Sequence, residues 1–225
     1  KWIEYNSDGK LLVDGVYDMK TKWNGIFRGE YYFDGIKAEE HNDYFADGGS
    51  TAKISAKGLM INDSIKIGKW DFFRKDGSKK NSGDFDKNKK TGEWEYWYKS
   101  GDKEKVGFFR NDMMDGKWEG WYYSGQKFYV RTYKLGKKEG LWAWWNSDGS
   151  KKYEGMYLND KKDGKWSQWN EKGDIIIEGS YYNDIKWSGI FEDGRYYKGR
   201  MASRFEDYYE NGTLKAQGLQ IGDIK

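Results

Sequence analysis

Aromatic and polar residues alternate along most of this 225-residue chain, in short runs broken by Asp-Gly, Ser-Gly or Asn-Gly pairs. A period of two sends successive side chains to opposite faces of a strand, and the glycine-bearing breaks are hairpin signals. The pattern predicts strands joined by tight turns. No proline interrupts the ladders, which fits paired strands throughout.

The alternation is itself periodic. Gly-x-Trp recurs at one unvarying spacing, as Gly68/Trp70, Gly92/Trp94, Gly116/Trp118, Gly140/Trp142 and Gly164/Trp166. Three positions after each Trp stands a second aromatic: Phe73, Trp97, Trp121, Trp145 and Trp169. A turn glycine follows (Gly77, Gly101, Gly125, Gly149, Gly173), then a third aromatic at Phe85, Phe109, Tyr133, Tyr157 and Tyr181. A unit as short as Trp70 to Trp94 cannot bury its apolar face alone, so the chain reads as a repeat array. The predicted fold is all-β: an elongated, single-layer antiparallel meander or solenoid of tandem β-hairpin repeats.

The array is read as continuous over 1–225. Positions 1–17 are a partial regular unit, with Trp2, Tyr5 and Gly9 at the repeat spacings. Positions 18–67 are irregular, 68–181 regular, and 182–225 repeat 18–66. A longer block is thereby duplicated: Lys1-Trp2 matches Lys165-Trp166, and Asp43-Tyr44-Phe45-Ala46-Asp47-Gly48 matches Asp207 to Gly212 at the same offset. Gly58-Leu59 with Ile65-Lys66 likewise matches Gly218-Leu219 with Ile224-Lys225, and Lys225 falls where another Gly-Lys-Trp is due, so the natural protein is expected to continue beyond this chain. Specificity is expected where the repeat breaks down, over 18–67 and 182–217.

If Asp-Gly is a two-residue turn, pairing follows by arithmetic. Each Trp then faces the glycine thirteen positions later: Trp70 opposite Gly83, Trp94 opposite Gly107, Trp142 opposite Gly155, Trp166 opposite Gly179. Glycine makes room for indole, and the third aromatic lies beside the next Trp, as Tyr157 beside Trp166. The Trp and the aromatic three positions on point to opposite faces. The Trp row replaces a missing aliphatic core, since aromatic residues make up 19% of the chain. The second row, Phe73, Trp97, Trp121, Trp145 and Trp169, is the candidate contact surface for a protein or peptide partner. Trp121 and Trp145 lead it, with Tyr122, Tyr123 and Trp144 beside them.

Other candidates are weaker. Lysine pairs at the second turns (Lys89-Lys90, Lys137-Lys138, Lys161-Lys162) line one sheet edge and could meet anionic lipid or nucleic acid, but Asp112, Asp160 and Asp163 dilute them and solvated turns explain them better. The balance of 40 basic and 37 acidic residues argues against nucleic acid as a partner. Asp71, Glu95 and Glu119 stand every second strand, about 10 Å apart, too far to share a metal. His41 is the single histidine, and Phe205 replaces it at the matching position of the duplicated block. With no cysteine, no second histidine and no phosphate-cradling loop, the reading is non-catalytic, without cofactor or metal. No apolar run reaches a membrane span.

The units resemble the bacterial MORN-repeat variants, a family that includes YwqK-like antitoxin proteins. Gly140-Leu141-Trp142-Ala143-Trp144-Trp145-Asn146-Ser147-Asp148-Gly149 with Glu154-Gly155-Met156-Tyr157 carries the likeness. The resemblance implies a binding scaffold, at the cell surface or envelope, or an antitoxin or immunity protein in the cytoplasm. Glycan, choline or anionic-lipid binding stands as a further alternative. The partner's identity and the oligomeric state stay open.

Overall fold

The computed structural model describes residues 2–8, 10–18, 21–27, 30–46 and 53–221. Lys1, Gly9, Asp47, Gly48, Ile224 and Lys225, which carry part of the repeat argument, lie outside them. Among the described residues there are twenty strands and no helix. They fall into two compact units, Lys1–Met113 and Met114–Lys225.

The first unit runs β1 (Trp2–Tyr5), β2 (Leu11–Asp18), β3 (Thr21–Phe27), β4 (Glu30–Phe33), β5 (Ile36–Tyr44), β6 (Ile54–Ile61), β7 (Ile65–Phe73), β8 (Lys79–Asp86), β9 (Lys89–Trp97) and β10 (Lys103–Arg110). Each strand pairs antiparallel with the next. The second unit runs β11 (Met113–Trp121), β12 (Lys127–Lys134), β13 (Lys137–Trp145), β14 (Lys151–Leu158), β15 (Lys161–Trp169), β16 (Ile175–Tyr182), β17 (Ile185–Phe191), β18 (Gly194–Tyr197), β19 (Arg200–Tyr208) and β20 (Leu214–Ile221), paired in the same way. Both are open meanders of consecutive hairpins, as the alternation predicts.

The expected register holds, by a different route. Trp70 faces Gly83, Trp94 faces Gly107, Trp142 faces Gly155 and Trp166 faces Gly179. The Asp-Gly turn is longer than the assumed pair, however. Arg74 donates its N–H to Ser78 O at 2.8 Å and Gly77 donates to Arg74 O at 2.8 Å, with Gly77 at φ 88°. This is a three-residue loop with a left-handed glycine. It displaces the pairing by one position, and a bulge between Phe72 and Phe73 restores it. The two-residue turns lie at the other end of each hairpin. Lys87-Asn88, Asn159-Asp160 and Asn183-Asp184 all have positive φ at both positions, the type I′ geometry that Asn and Asp tolerate.

Trp118 is the exception, because it faces Arg131 rather than glycine.

The indoles are buried: Trp70 is 0% exposed and Trp94 1%. Their neighbour corrects the expected packing. An added β-carbon at Gly83 would collide with Trp94, and at Gly155 with Trp166. Trp94 and Trp166 therefore cover the glycine of the strand before them, so that Gly83 and Gly155, which face Trp70 and Trp142 in register, seat the following indole; Gly179 seats Phe191, and Trp142 meets Arg131 in place of a glycine. The glycine of Gly-x-Trp does something else again. Gly92 and Gly140 have φ 64° and Gly164 φ 85°, and they lie at register shifts. There the indole N–H reaches back to a backbone carbonyl: Trp94 to Asp84 O at 3.1 Å, Trp142 to Thr132 O at 2.8 Å, Trp166 to Met156 O at 2.9 Å.

Successive hairpins are also tied at both sheet edges. At the type I′ turns, Asp160 N donates to Lys138 O at 3.0 Å, and Lys138 N donates to Asp160 Oδ1 at 2.8 Å. Asn88 ties to Lys66, Asp112 to Lys90 and Asp184 to Lys162 in the same way. At the opposite edge Arg74 donates to Trp97 O, and Tyr122 Oη to Trp145 O at 2.9 Å. In the irregular part of the first unit an aliphatic cluster of Ala38, Ile61 and Ile67, with Tyr31 and Phe33 against it, supplements the aromatic packing.

Candidate interaction faces

Alternation divides each sheet into a first face, which carries the buried Trp row, and a second face, which carries the aromatics three positions on. On the first face the rings touch one another in sequence. In the first unit Trp70, Phe85, Trp94 and Phe109 follow at centroid distances of 6.2, 5.2 and 6.0 Å. In the second, Trp142, Tyr157, Trp166 and Tyr181 follow at 4.9, 5.2 and 6.0 Å. Tyr157 beside Trp166 is the expected neighbour.

The second lysine of each turn pair folds onto this face. Lys90 Nζ lies 4.3 Å from the Trp94 ring, Lys138 5.0 Å from Trp142 and Lys162 4.4 Å from Trp166. Burial lowers the Lys90 and Lys162 ammonium groups below their usual value, against the Asp112 and Asp184 carboxylates respectively. The lysine pairs are thus not wholly solvated: one member of each covers an indole. Asp112 and Asp160 do more than dilute charge, since each accepts a backbone N–H from a neighbouring hairpin.

On the second face the predicted contact row is half-buried, not open. Lys57 lies 5.7 Å from the Phe73 ring, Lys79 4.9 Å from Trp97, Lys127 5.9 Å from Trp145 and Lys151 5.4 Å from Trp169. Most of these lysines are held by a carboxylate: Lys79 by Asp71 at 2.7 Å, Lys127 by Glu119 at 2.8 Å, Lys151 by Glu154 at 2.7 Å. Burial pushes Asp71 and Glu119 up, yet their lysine hydrogen bonds outweigh it and hold both below the ordinary range. The acidic ladder is therefore a set of ion pairs rather than a free solvated row. Trp121 is likewise half-buried. Tyr122 packs on Phe128 at 4.6 Å. Trp144 does not extend the row with Trp145: it is on the first face, stacked on Tyr153 at 4.4 Å.

The open apolar surface lies further along the second unit. Beyond Trp169 the second face exposes Tyr182 (55%), Ile185 (55%), Trp187 (40%), Ile190 (46%), Tyr197 (51%) and Leu219 (49%). Tyr182 and Trp187 lie 5.6 Å apart. A shallow cleft of about 310 Å³ opens among Ile190, Arg195, Tyr197, Leu219 and Ile221. The Gly-x-Trp period fails from position 182; Lys198 still lies 5.3 Å from the Tyr197 ring and Lys215 5.9 Å from Tyr209, but Trp187 and Ile190 stay exposed. The irregular sequence of this stretch points to it, but not to these side chains as its contacts, because strand alternation alone does not show which face is left uncovered.

His41 Nε2 lies 3.0 Å from Asp43 Oδ1, and its ring stands 6.2 Å from Trp70. Lys66 Nζ is 3.6 Å from the same Asp43 carboxylate. His41 and Lys66 thus share one carboxyl group at the head of the first-face aromatic row. Among the described residues no group of three or more His, Asp or Glu is placed to hold a metal ion.

No family model and no curated protein matches the chain.

Proposed function

We propose that the protein is a non-catalytic repeat scaffold that binds a protein partner through the second face of residues 182–221. The observation that supports this reading is the exposed surface of Tyr182, Ile185, Trp187, Ile190, Tyr197 and Leu219. Soluble chains seldom leave contiguous apolar surface of this kind open unless something docks on it. Aromatic and aliphatic side chains around one Arg195 suit a protein interface, where such residues anchor and a rim charge orients. The resemblance to MORN-repeat variants leads to the same class, at a bacterial cell surface or as an antitoxin.

The competing small-ligand readings draw less support from the geometry. A quaternary ammonium needs an open aromatic cage, and the indole faces of the regular repeats already hold the chain's own lysines. A glycan needs an open ring face, which Trp144 and Tyr153 do not offer because they turn theirs on each other; the exposed rings of Tyr182 and Trp187 pack together beside Ile185 and Ile190, a setting that suits a protein partner better.

The test is affinity capture from lysate and envelope fractions with three baits: wild type, Trp187→Ala/Ile190→Ala, and Trp121→Ala/Trp145→Ala, each checked for retained β-structure. One protein held by wild type and by the Trp121/Trp145 variant, and lost by the Trp187/Ile190 variant, is the expected result. Loss only with Trp121 and Trp145 would move the contact back to the regular row. A partner held equally by all three baits, or no partner at all, would overturn the proposal.

A further inference from the structure

The repeat is broken at residue 131. Gly83 and Gly155 occupy this place in other repeats and seat an indole; here the residue is arginine, opposite Trp118 in β11 and Trp142 in β13. A second break accompanies it. Two positions after the Trp, other hairpins carry Phe72, Tyr96 or Trp144, while here stands Gly120. A β-carbon at Gly120 would collide with the Tyr129 ring, so Tyr129 has taken the space of the missing aromatic. Arg131 then lies over that ring, 4.1 Å from its centroid, with Trp144 at 4.8 Å and Trp142 at 5.5 Å.

This leaves a half-buried cation on the first face that is stacked on rings but has no carboxylate partner among the described residues. No salt bridge among the described residues involves Arg131, and its Nε is buried without a hydrogen-bond partner. Most lysines of the second face, by contrast, are paired to a carboxylate. Stacking satisfies the flat surfaces of a guanidinium but not its N–H edge, whose fork matches a carboxylate. Lys138, over Trp142, adds positive potential nearby. Tyr153, which stacks on Trp144, has its phenol pushed up by burial and pulled down, in lesser measure, by the Arg131 charge that it feels.

We propose that Arg131, between Tyr129 and Trp144, is a binding site for a carboxylate, presented as an Asp or Glu side chain of a bound polypeptide. An acidic sugar fits less well, because Trp144 and Tyr153 offer it ring edges rather than a face. The site is on the opposite face from Trp187 and Ile190 and stands independently of the partner surface proposed there.

The experiment is an NMR titration of the whole chain with acetyl-glutamate methylamide, following the Arg131 Nε–H and Trp144 indole N–H signals. Parallel arms use glucuronate and sulfate. Saturable shifts are expected with the glutamate probe, at least tenfold weaker in Arg131→Lys, which keeps the charge and loses the fork, and absent in Arg131→Gly. Arg131→Gly restores the repeat glycine, so it is expected to keep the wild-type melting temperature, and Arg131→Lys carries the comparison if it does not. No saturable shift in wild type, or unchanged binding in Arg131→Lys, would overturn the site. Equal binding of sulfate would overturn its selectivity for carboxylate, and tighter binding of glucuronate its assignment to a polypeptide.

Discussion

The Trp166 indole lies directly over Gly155, so closely that no β-carbon fits between ring and strand. Gly155 has an ordinary extended backbone, unlike the turn glycine Gly173, at φ 84° with open space around it. The two glycines are needed for different reasons, steric in one case and conformational in the other. Gly155→Ala is expected to cost about 1–3 kcal/mol by overpacking, and Gly173→Ala about 1 kcal/mol by backbone strain. Denaturant melts of both, with Trp166→Val added to each, check the assignment. Trp166→Val relieves only the Gly155→Ala variant, and equal effects on both would refute the distinction.

Gly136 is the natural test of the edge ties. It donates its N–H to Met114 O at 2.7 Å like the other type I′ turns, but has no side chain to answer with. Asp160 and Asp184 hold φ 70° and 68° at the same place, and Gly136 φ 83°, so an aspartate is conformationally acceptable there. Gly136→Asp is expected to stabilise the second unit by about 0.5–1.5 kcal/mol, the net worth of one such hydrogen bond. Asp160→Ala is expected to lose a similar amount. A Gly136→Asp melt below wild type would contradict this account of the ties.

Lys162 titrates below its ordinary value of 10.5 because burial outweighs the pull of Asp184. Between the folded and unfolded values the unfolded chain binds more protons, so stability rises as pH climbs through that window. Lys162→Met, which keeps the stem over Trp166 without the charge, is expected to flatten the rise just below 10.5. Urea melts across that range decide it, and an unchanged slope would show that the ammonium is not desolvated.

Asp76 is expected to titrate at about 2, because the Ser78 hydroxyl and backbone N–H both donate to its carboxylate. Its folded pKa is depressed, so its contribution is complete above the unfolded value of 3.8 and disappears as pH falls through about 2. Ser78→Ala should move the midpoint upward. A carboxyl carbon titration centred near 3.8 in wild type would rule the turn contact out.

The strands and the pairing of Trp with glycine were readable from the sequence because both depend on spacing. Trp70 meets Gly83 at the predicted register even though the turn is one residue longer than an Asp-Gly pair, since the longer turn and the bulge at Phe72 cancel. The seat of each indole was harder to foresee. Trp94 lies between two strand glycines, and only its indole bond to Asp84 O decides which way the ring leans. The contact surface was least readable of all. Trp97 and Trp145 looked open by alternation, but the lysines that cover them come from the preceding hairpin. Such cover is a property of stacking, not of any one unit. Trp187 and Ile190 stand out only because that stacking pattern lapses.

Sharing of glycines between neighbouring indoles also bears on how such a chain can change length. A seat in one hairpin and the ring that fills it in the next are separated by a fixed phase. Gain or loss of one whole period, the spacing from Trp142 to Trp166, re-forms the join with like residue types on both sides. An event of half that length would bring an indole onto a strand with no glycine to receive it. The packing therefore accommodates changes of length in whole periods and not in halves of one. Arg131 is the place where that interchangeability ends: a hairpin carrying it cannot be swapped for its neighbours without moving the charge.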